Sequence, residues 1–209
     1  MRTFEIITET DARTLEPGST VTLKPGGQVT PLALDTLRER RITVLRNVVD
    51  DNLAGLAPVA DIKSIAIGSD HSGVALKAAL RDDLRKKGLS VLDVGTETAD
   101  PVDYPDLAGQ VARLVARREV DAGIVIDGAG LGSCIAANKI RGVRAAMCLN
   151  KTLARYSREH NGANVLALGA TLITADEAKE IVATWLSTPM GEARYIRRLV
   201  KINALEKNQ

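Results

Sequence analysis

The sequence predicts an α/β protein: a Rossmann-like, doubly wound parallel sheet of about five strands flanked by helices, preceded by a small α+β module. Three observations predict it. From Ser64 onward, short apolar runs alternate with longer segments of helical period, the pattern of repeated βαβ units. Only 2% of the 209 residues are aromatic while 45% are hydrophobic, so the core must be built from Ala, Val, Ile and Leu, as in strands covered on both faces. Before Ser64 the runs are shorter and broken by turn residues, which divides the chain into residues 1–63 and 64–209.

In the first module, Thr20–Leu23 alternates as a strand after the Pro17-Gly18 turn, and Pro25-Gly26-Gly27 reads as another turn. Thr30-Pro31 is an N-cap followed by proline at the first helical position, opening a helix over Leu32–Arg41. Ile42–Leu45 is a second short strand, and Asn47–Ile62, with Asp50, Asp51, Gly55 and Pro58, reads as a linker. The module has few large apolar residues, so it is not expected to be stable alone.

After Ser64 the elements follow regularly. Ile65–Gly68 is a buried strand; Val74–Lys87 is a helix with Leu76, Ala79, Leu80 and Leu84 on one face, ended by Gly88. Ser90–Val94 is a strand, Tyr104–Arg117 a helix, Ala122–Ile126 a strand, and Ser133–Lys139 the start of a helix. Arg144–Cys148 is a strand, Lys151–His160 a helix, and Val165–Leu168 the last strand. Thr174 and Glu177 form a capping box that opens a helix to Leu186, in which Trp185 is a core residue.

Composition excludes several classes. With 28 Lys+Arg against 26 Asp+Glu, the net charge of +2 gives no basic excess for nucleic acid. No apolar run approaches the roughly 18 residues of a membrane span. Cys134 and Cys148 form no disulfide framework, and the start MRTFEIITETDART has no apolar signal core. A cytoplasmic setting is expected.

Ligands of such a sheet bind beyond the carboxyl ends of its strands. The first strand ends in Gly68-Ser69-Asp70-His71-Ser72-Gly73 and the third in Asp127-Gly128-Ala129-Gly130-Leu131-Gly132-Ser133-Cys134. Three alternating glycines between strand and helix either aim backbone N–H groups at an anion or simply admit close packing. Asp127 ahead of them favours the anion reading, since a carboxylate there can move a proton. The loop lacks the G-x-G-x-x-G spacing, and no acidic residue follows about 20 positions on, so a dinucleotide is not expected. His71 and His160 are the only histidines and fall at element ends, as proton shuttles, phosphate ligands or structural residues. Arg194 and Arg198, four apart, either clamp a phosphate or form a solvated basic helix.

The segments Gly68–Gly73, Val102-Asp103-Tyr104-Pro105-Asp106, Gly128–Gly132 with Ile135–Lys139, and Arg158-Glu159-His160-Asn161 resemble, in order and spacing, the type B ribose-5-phosphate isomerases and the related galactose-6-phosphate isomerase subunits. The resemblance covers about residues 64–202. It implies metal-free, cofactor-free aldose–ketose isomerisation of a phosphosugar by a homodimer, or a dimer of dimers, with sites shared between subunits. It implies that His160 opens the sugar ring with Asn161 beside it, and that Asp70 binds a sugar hydroxyl. His71, Arg194 and Arg198 would hold the phosphate, and Tyr104 and Ser133 would line the pocket. Gly128, Gly130 and Gly132 would hold the enediolate.

Three positions depart from that pattern. Asp127 stands where many members carry the cysteine that removes the proton; others use a Glu at the place of Ser133; and Ala129 replaces a common Thr. A free Asp, with a pKa of about 3.9 against about 8.5 for Cys, is the weaker base, but a carboxylate can enolise a sugar phosphate, as the Glu of triosephosphate isomerase does. Asp127, another residue, or a lost reaction all stay open, and a non-catalytic sugar-phosphate-binding or assembly subunit is the second reading. The run Leu15–Val21 with Val29–Ala33 and Arg40-Arg41-Ile42 is similar to the N-terminal segment of ethanolamine-type cobalamin adenosyltransferases and other microcompartment-associated proteins. That implies docking or oligomerisation, with a microcompartment or pathway partner; a cover for the sheet edge or dimer surface is the alternative.

Overall fold

The computed structural model describes residues 2–46, 56–190 and 193–207, with backbone alone at 25, 26, 45, 46, 193 and 207. They fall into two compact units, residues 1–55 and 56–209. Residues 56–62 thus belong with the second unit and are not free linker; residues 47–55 of the expected linker lie outside the described residues.

In the first unit β1 (Thr3–Ile7), α1 (Glu9–Thr14), β2 (Thr20–Val29), α2 (Pro31–Glu39) and β3 (Thr43–Arg46) follow one another. The strands are parallel in the order β1-β2-β3, so right-handed crossovers bring both helices to one face. Ile7, Ala12, Leu15, Val21, Leu23, Ala33, Leu37 and Ile42 form a core of their own there. Thr30 caps α2 as expected, accepting the Ala33 N–H, with Pro31 in the first turn. Sequence reasoning missed β1 and α1, although Thr8 and Asp11 form a capping box that was open to it. The expected turn at Pro25-Gly26-Gly27 is a correction: the backbone continues through it as β2. A five-residue step from Leu23 to Gln28 faces a two-residue step from Phe4 to Ile6, so the extra residues form an irregularity. Among the described residues, pairing with β3 reaches only to Leu23, and no such pairing takes up the Pro25 position.

The second unit runs β4 (Ser64–Ser69), a 3-10 turn (His71–Gly73), α3 (Val74–Lys86), β5 (Ser90–Asp93), α4 (Tyr104–Ala116) and β6 (Ala122–Asp127). It continues with α5 (Leu131–Ala137), β7 (Ala145–Met147), α6 (Lys151–Glu159), β8 (Val165–Gly169), α7 (Ala175–Ser187) and α8 (Ala193–Lys207). All its strand pairings are parallel, in the order β5-β4-β6-β8-β7, the expected doubly wound sheet. Strand residues alternate between two cores. Ile65, Ile67, Ile124, Ile126, Leu166 and Leu168 meet Leu80, Leu84, Ile181 and the fully buried Trp185. Ala66, Val125, Val165 and Ala167 meet Val111, Ala112 and Val115 on the other face. Glycine lets α4 approach that second face closely: a side chain at Gly123 would lie 2.7 Å from Val111 and 3.0 Å from Val115. The capping box Thr174–Glu177 opens α7 as expected. Among the described residues no helix is long and apolar enough to cross a membrane.

One buried charge network lies beneath the carboxyl ends of β4 and β5. Lys77, 1% exposed, donates to Asp93 Oδ1 at 2.5 Å; Arg81 reaches Oδ2 at 3.1 Å and the Gly95 N–H adds a third bond at 3.1 Å. Burial pushes the Asp93 carboxyl up, but Lys77, Gly95 and Arg81 together outweigh it and hold the group below its ordinary value of 3.8. A depressed carboxylate stabilises the fold above the unfolded pKa and ceases to as pH falls through the lower folded one. Replacing Asp93 with Asn strands Lys77, and we expect it to cost about 3 kcal/mol at neutral pH. Urea denaturation between about pH 2 and 7 should also show the variant losing less stability on acidification than the parent; equal acid limbs would refute this role for Asp93.

Candidate active site

The strand order changes direction between β4 and β6, so the crevice beyond their carboxyl ends is where this topology builds a ligand site. The Asp70 N–H donates to Ile126 O at 3.1 Å and ties the two strand ends together. Asp70 is buried, and its Oδ1 accepts the Ser72 N–H at 2.9 Å and the Ser72 hydroxyl at 2.5 Å. That turn lifts His71 into solvent, where its Nδ1 accepts the Val102 N–H at 3.4 Å. With Nδ1 an acceptor, the neutral ring carries its proton on Nε2. Tyr104, at the start of α4, lies over the glycine loop: a side chain at Gly132 would come within 2.5 Å of its ring, so only glycine admits the ring there. Ser72 Oγ stands 3.6 Å from where a side chain at Gly128 would begin.

The glycine loop is wrapped around the carboxylate of Asp127. Oδ1 accepts the N–H groups of Ala129, at 2.9 Å, and of Gly130, while Oδ2 accepts that of Ser133 at 2.7 Å. Gly130, at φ +76°, makes this turn possible, and a side chain there would strike Leu168 and Gly169. From behind, Ala170 N–H holds Asp127 O at 2.8 Å, and Thr171 holds Gly128 O through its N–H at 3.0 Å and its hydroxyl at 2.7 Å. This corrects the expectation of an open anion nest: three of its N–H groups already hold the chain's own anion. Each carboxylate oxygen has two lone pairs, so Oδ1 is saturated and Oδ2 keeps one acceptor position. Asp127 is 5% exposed.

A second group assembles elsewhere. His160 follows the last turn of α6, stacked on Tyr156 at 4.6 Å with the planes 16° apart. On its other side lies Tyr195 of α8, again at 4.6 Å. Arg194 donates to the Tyr195 hydroxyl at 2.8 Å and sits 4.7 Å over its ring; Arg198 is 5.8 Å from the same ring. Asn161 donates to Tyr156 O at 3.0 Å. Tyr156 and Tyr195 were missed from sequence, although Tyr156 stands one helical turn before His160 and Tyr195 adjoins Arg194.

Topology separates these two groups. The helix between β7 and β8 must return to the amino edge before β8 begins at Val165, so His160 lies at the edge opposite Asp70 and Asp127. The five paired positions from Gly123–Val165 to Asp127–Gly169 span roughly 13 Å. The two histidines, both expected at functional ends, thus fall at opposite edges of the sheet, and Arg194 and Arg198 gather about Tyr195 on the side of His160.

Cys134 lies on the first turns of α5, half-buried; burial raises its thiol pKa and the nearby Asp127 charge adds to that, against a backbone hydrogen bond from Met147. Burial pushes Cys148 up to about 11. Neither is suited to act as a thiolate base near neutral pH. Among the described residues no three His, Cys, Asp or Glu side chains converge as a metal site would require.

Comparison with known proteins adds a lineage to this geometry. Residues 65–202 match the family model described as Ribose/Galactose Isomerase. Ribose-5-phosphate isomerase B of Escherichia coli (strain K12) is 43% identical over 148 residues, 71% of this chain and 99% of that protein. D-erythrulose-4-phosphate isomerase of Pectobacterium atrosepticum is 38% identical over 150 residues, 70% of this chain and 99% of its own length. The structure of Clostridium thermocellum ribose-5-phosphate isomerase B superposes with a TM-score of 0.69 at 50% identity, over 69% of this chain and 98% of that one.

The wrapped carboxylate has a measurable consequence. In Asp127→Asn one of the three N–H donors must face an amide NH2, and unfolding free energy should fall by about 1–3 kcal/mol. Denaturant unfolding checks this, and an unchanged midpoint would mean that the loop is not held by the carboxylate.

Proposed function

The chain belongs to the ribose/galactose isomerase family, and from that membership we propose that it interconverts the aldose and ketose forms of a phosphorylated sugar of four to six carbons. The observation that carries the mechanism is the one uncommitted acceptor position on Asp127 Oδ2, held at the switch-point crevice beside Asp70, His71 and Tyr104. Asp127 takes the proton from the carbon alpha to the carbonyl; the C–H electrons form the C=C bond as the carbonyl electrons move onto oxygen. As the hydroxyl proton on the alpha carbon's oxygen passes to the former carbonyl oxygen, the enediolate takes the C–H proton back on the former carbonyl carbon, leaving the new carbonyl at the alpha carbon. With Ala129, Gly130 and Ser133 already committed, the oxyanion falls to the N–H groups of Leu131 and Gly132, which the first turn of a helix leaves without intrahelical partners. Asp70 orients a sugar hydroxyl, and Nε2–H of His71 meets the phosphate.

Ring opening is assigned to His160 with Asn161, and the remaining phosphate charge to Arg194 and Arg198. Those groups come from a second copy of the chain, because the opposite edge of the same sheet cannot deliver them. Exposed apolar side chains support a self-complementary contact: Leu131 and Ile135, one turn apart on α5, are 59% and 62% exposed, and Leu153 and Tyr156 of α6 are 44% and 40% exposed. A non-catalytic binding subunit, the other reading of the sequence, gains no support from relatives named as isomerases.

Incubation with four-, five- and six-carbon sugar phosphates in deuterated water should place deuterium at the carbon alpha to the carbonyl of at least one. Asp127→Asn should abolish that exchange and leave phosphosugar binding measurable; persistent exchange would remove Asp127 from the role. Asp127→Asn and His160→Ala subunits, each inactive alone on a ring-forming five-carbon sugar phosphate, should recover roughly a quarter of the parent activity on it when mixed and re-equilibrated, because half of the dimers then hold one intact site. No recovery from folded, mixed dimers would place both residues in one subunit's site.

A further inference from the structure

The turn that carries His160 and Asn161 is bolted to a segment that lies outside the family match. Arg144 Nε donates to Gly162 O at 2.8 Å while its terminal nitrogen donates to Leu56 O at 2.7 Å. Arg158 repeats the arrangement one residue along, donating to Ala163 O at 2.9 Å and to Val59 O at 2.9 Å. Each guanidinium thus bridges one carbonyl of the turn to one carbonyl of residues 56–59. Arg158 is 1% exposed and lies 4.7 Å over the Trp185 ring, which fixes its plane. Burial, and then the charge of Arg144, lower its pKa to about 10. Two cations so close repel, and the aligned carbonyl dipoles of both segments offset that repulsion.

Packing closes the same joint. Leu56 is buried. Gly162 takes φ +56°, and a side chain there would meet Leu199 at 2.8 Å, Met190 at 3.0 Å and Pro58 at 3.3 Å. The turn therefore sits between α8 and Pro58, with no room to shift toward either. The family match begins only at residue 65, so Leu56, Pro58 and Val59 lie outside the matched segment.

We infer that residues 56–59 are a positioning element for the catalytic turn: through Arg144 and Arg158 they hold the backbone beside His160 and Asn161 in register with the partner's sugar. The inference rests on the role proposed for His160, and the test separates the two. In the full chain, Leu56→Ser combined with Pro58→Gly removes the apolar seat and leaves both arginines and His160 in place. The Gly162 and Ala163 amides, bonded to Arg158 O at 3.0 Å and Ser157 O at 2.8 Å, should exchange with solvent deuterium at least roughly tenfold faster, while β6 amides keep their protection. Turnover of a five-carbon aldose 5-phosphate, which closes into a ring, should fall roughly ten- to a hundredfold. A four-carbon aldose 4-phosphate, whose phosphate occupies the oxygen needed for ring closure, should lose less than about threefold.

Unchanged protection at Gly162 and Ala163 overturns the inference, as does full turnover of the ring-forming substrate when protection is lost. If the double variant loosens β6 as well, Arg144→Lys decides: it keeps the charge but not the two-carbonyl bridge, and undiminished protection at Gly162 overturns the inference. His160→Ala, measured alongside, should discriminate between the two sugars in the same sense; if it does not, the ring-opening role of His160 fails, and the exchange result still decides the positioning element.

Discussion

Every strand of the second unit points the same way, and that shared polarity governs where its reactive groups can lie. Loops that follow strands gather at one edge; turns that follow helices gather at the other. Asp70, His71 and Asp127 belong to the first kind, His160 and Asn161 to the second. α8 then lies along the second edge, with Tyr195 on His160, Leu199 near Gly162 and Glu206 accepting the Gly142 N–H at 3.1 Å. Under the proposed function, with Asp127 on one edge and His160 on the other, sheet geometry itself calls for a second copy of the chain.

Asp127 illustrates how one residue can answer two demands. As an acceptor of three backbone N–H groups it organises the glycine loop, and a carboxylate is the only ordinary side chain with oxygens enough to do so and still keep a lone pair. A thiol at that position would leave those N–H groups for the substrate's oxygen. The present loop thus trades an open cradle for one filled by its own carboxylate. The two cysteines lie within the fold, with thiols raised by burial, and contribute packing.

Much of this was legible in the sequence. The alternation of apolar runs and helical periods predicted five parallel strands and their helices, because both patterns are set locally by burial. The glycine loop, Asp70 and His71 stood out because strand ends are marked by glycine and polar residues, whereas Tyr104 came only from the family resemblance. Three things were not. Proline and two glycines in β2 read as a turn, since local propensity does not reveal how a neighbouring strand pairs across them. The edge occupied by His160 depends on topology, which a list of motifs omits. The bridges from Arg144 and Arg158 end on carbonyls 88 and 99 residues away, and a backbone oxygen carries no sequence signature at all.

The sheet's two faces are unequal in a way that bears on how this protein can change. One is paved with Ile and Leu and backed by Trp185; the other, under α4 and α5, is paved with Ala, Val and Gly123. Volume on the first face can be exchanged among neighbours, since large side chains can shrink and others swell. On the second, the valines of α4 are already against Gly123, and an added methyl there has nowhere to go. Tyr104 and the loop helix are carried by that second face. The two walls of the sheet therefore differ in tolerance: one can trade volume among large side chains, and the other is held by steric exclusion.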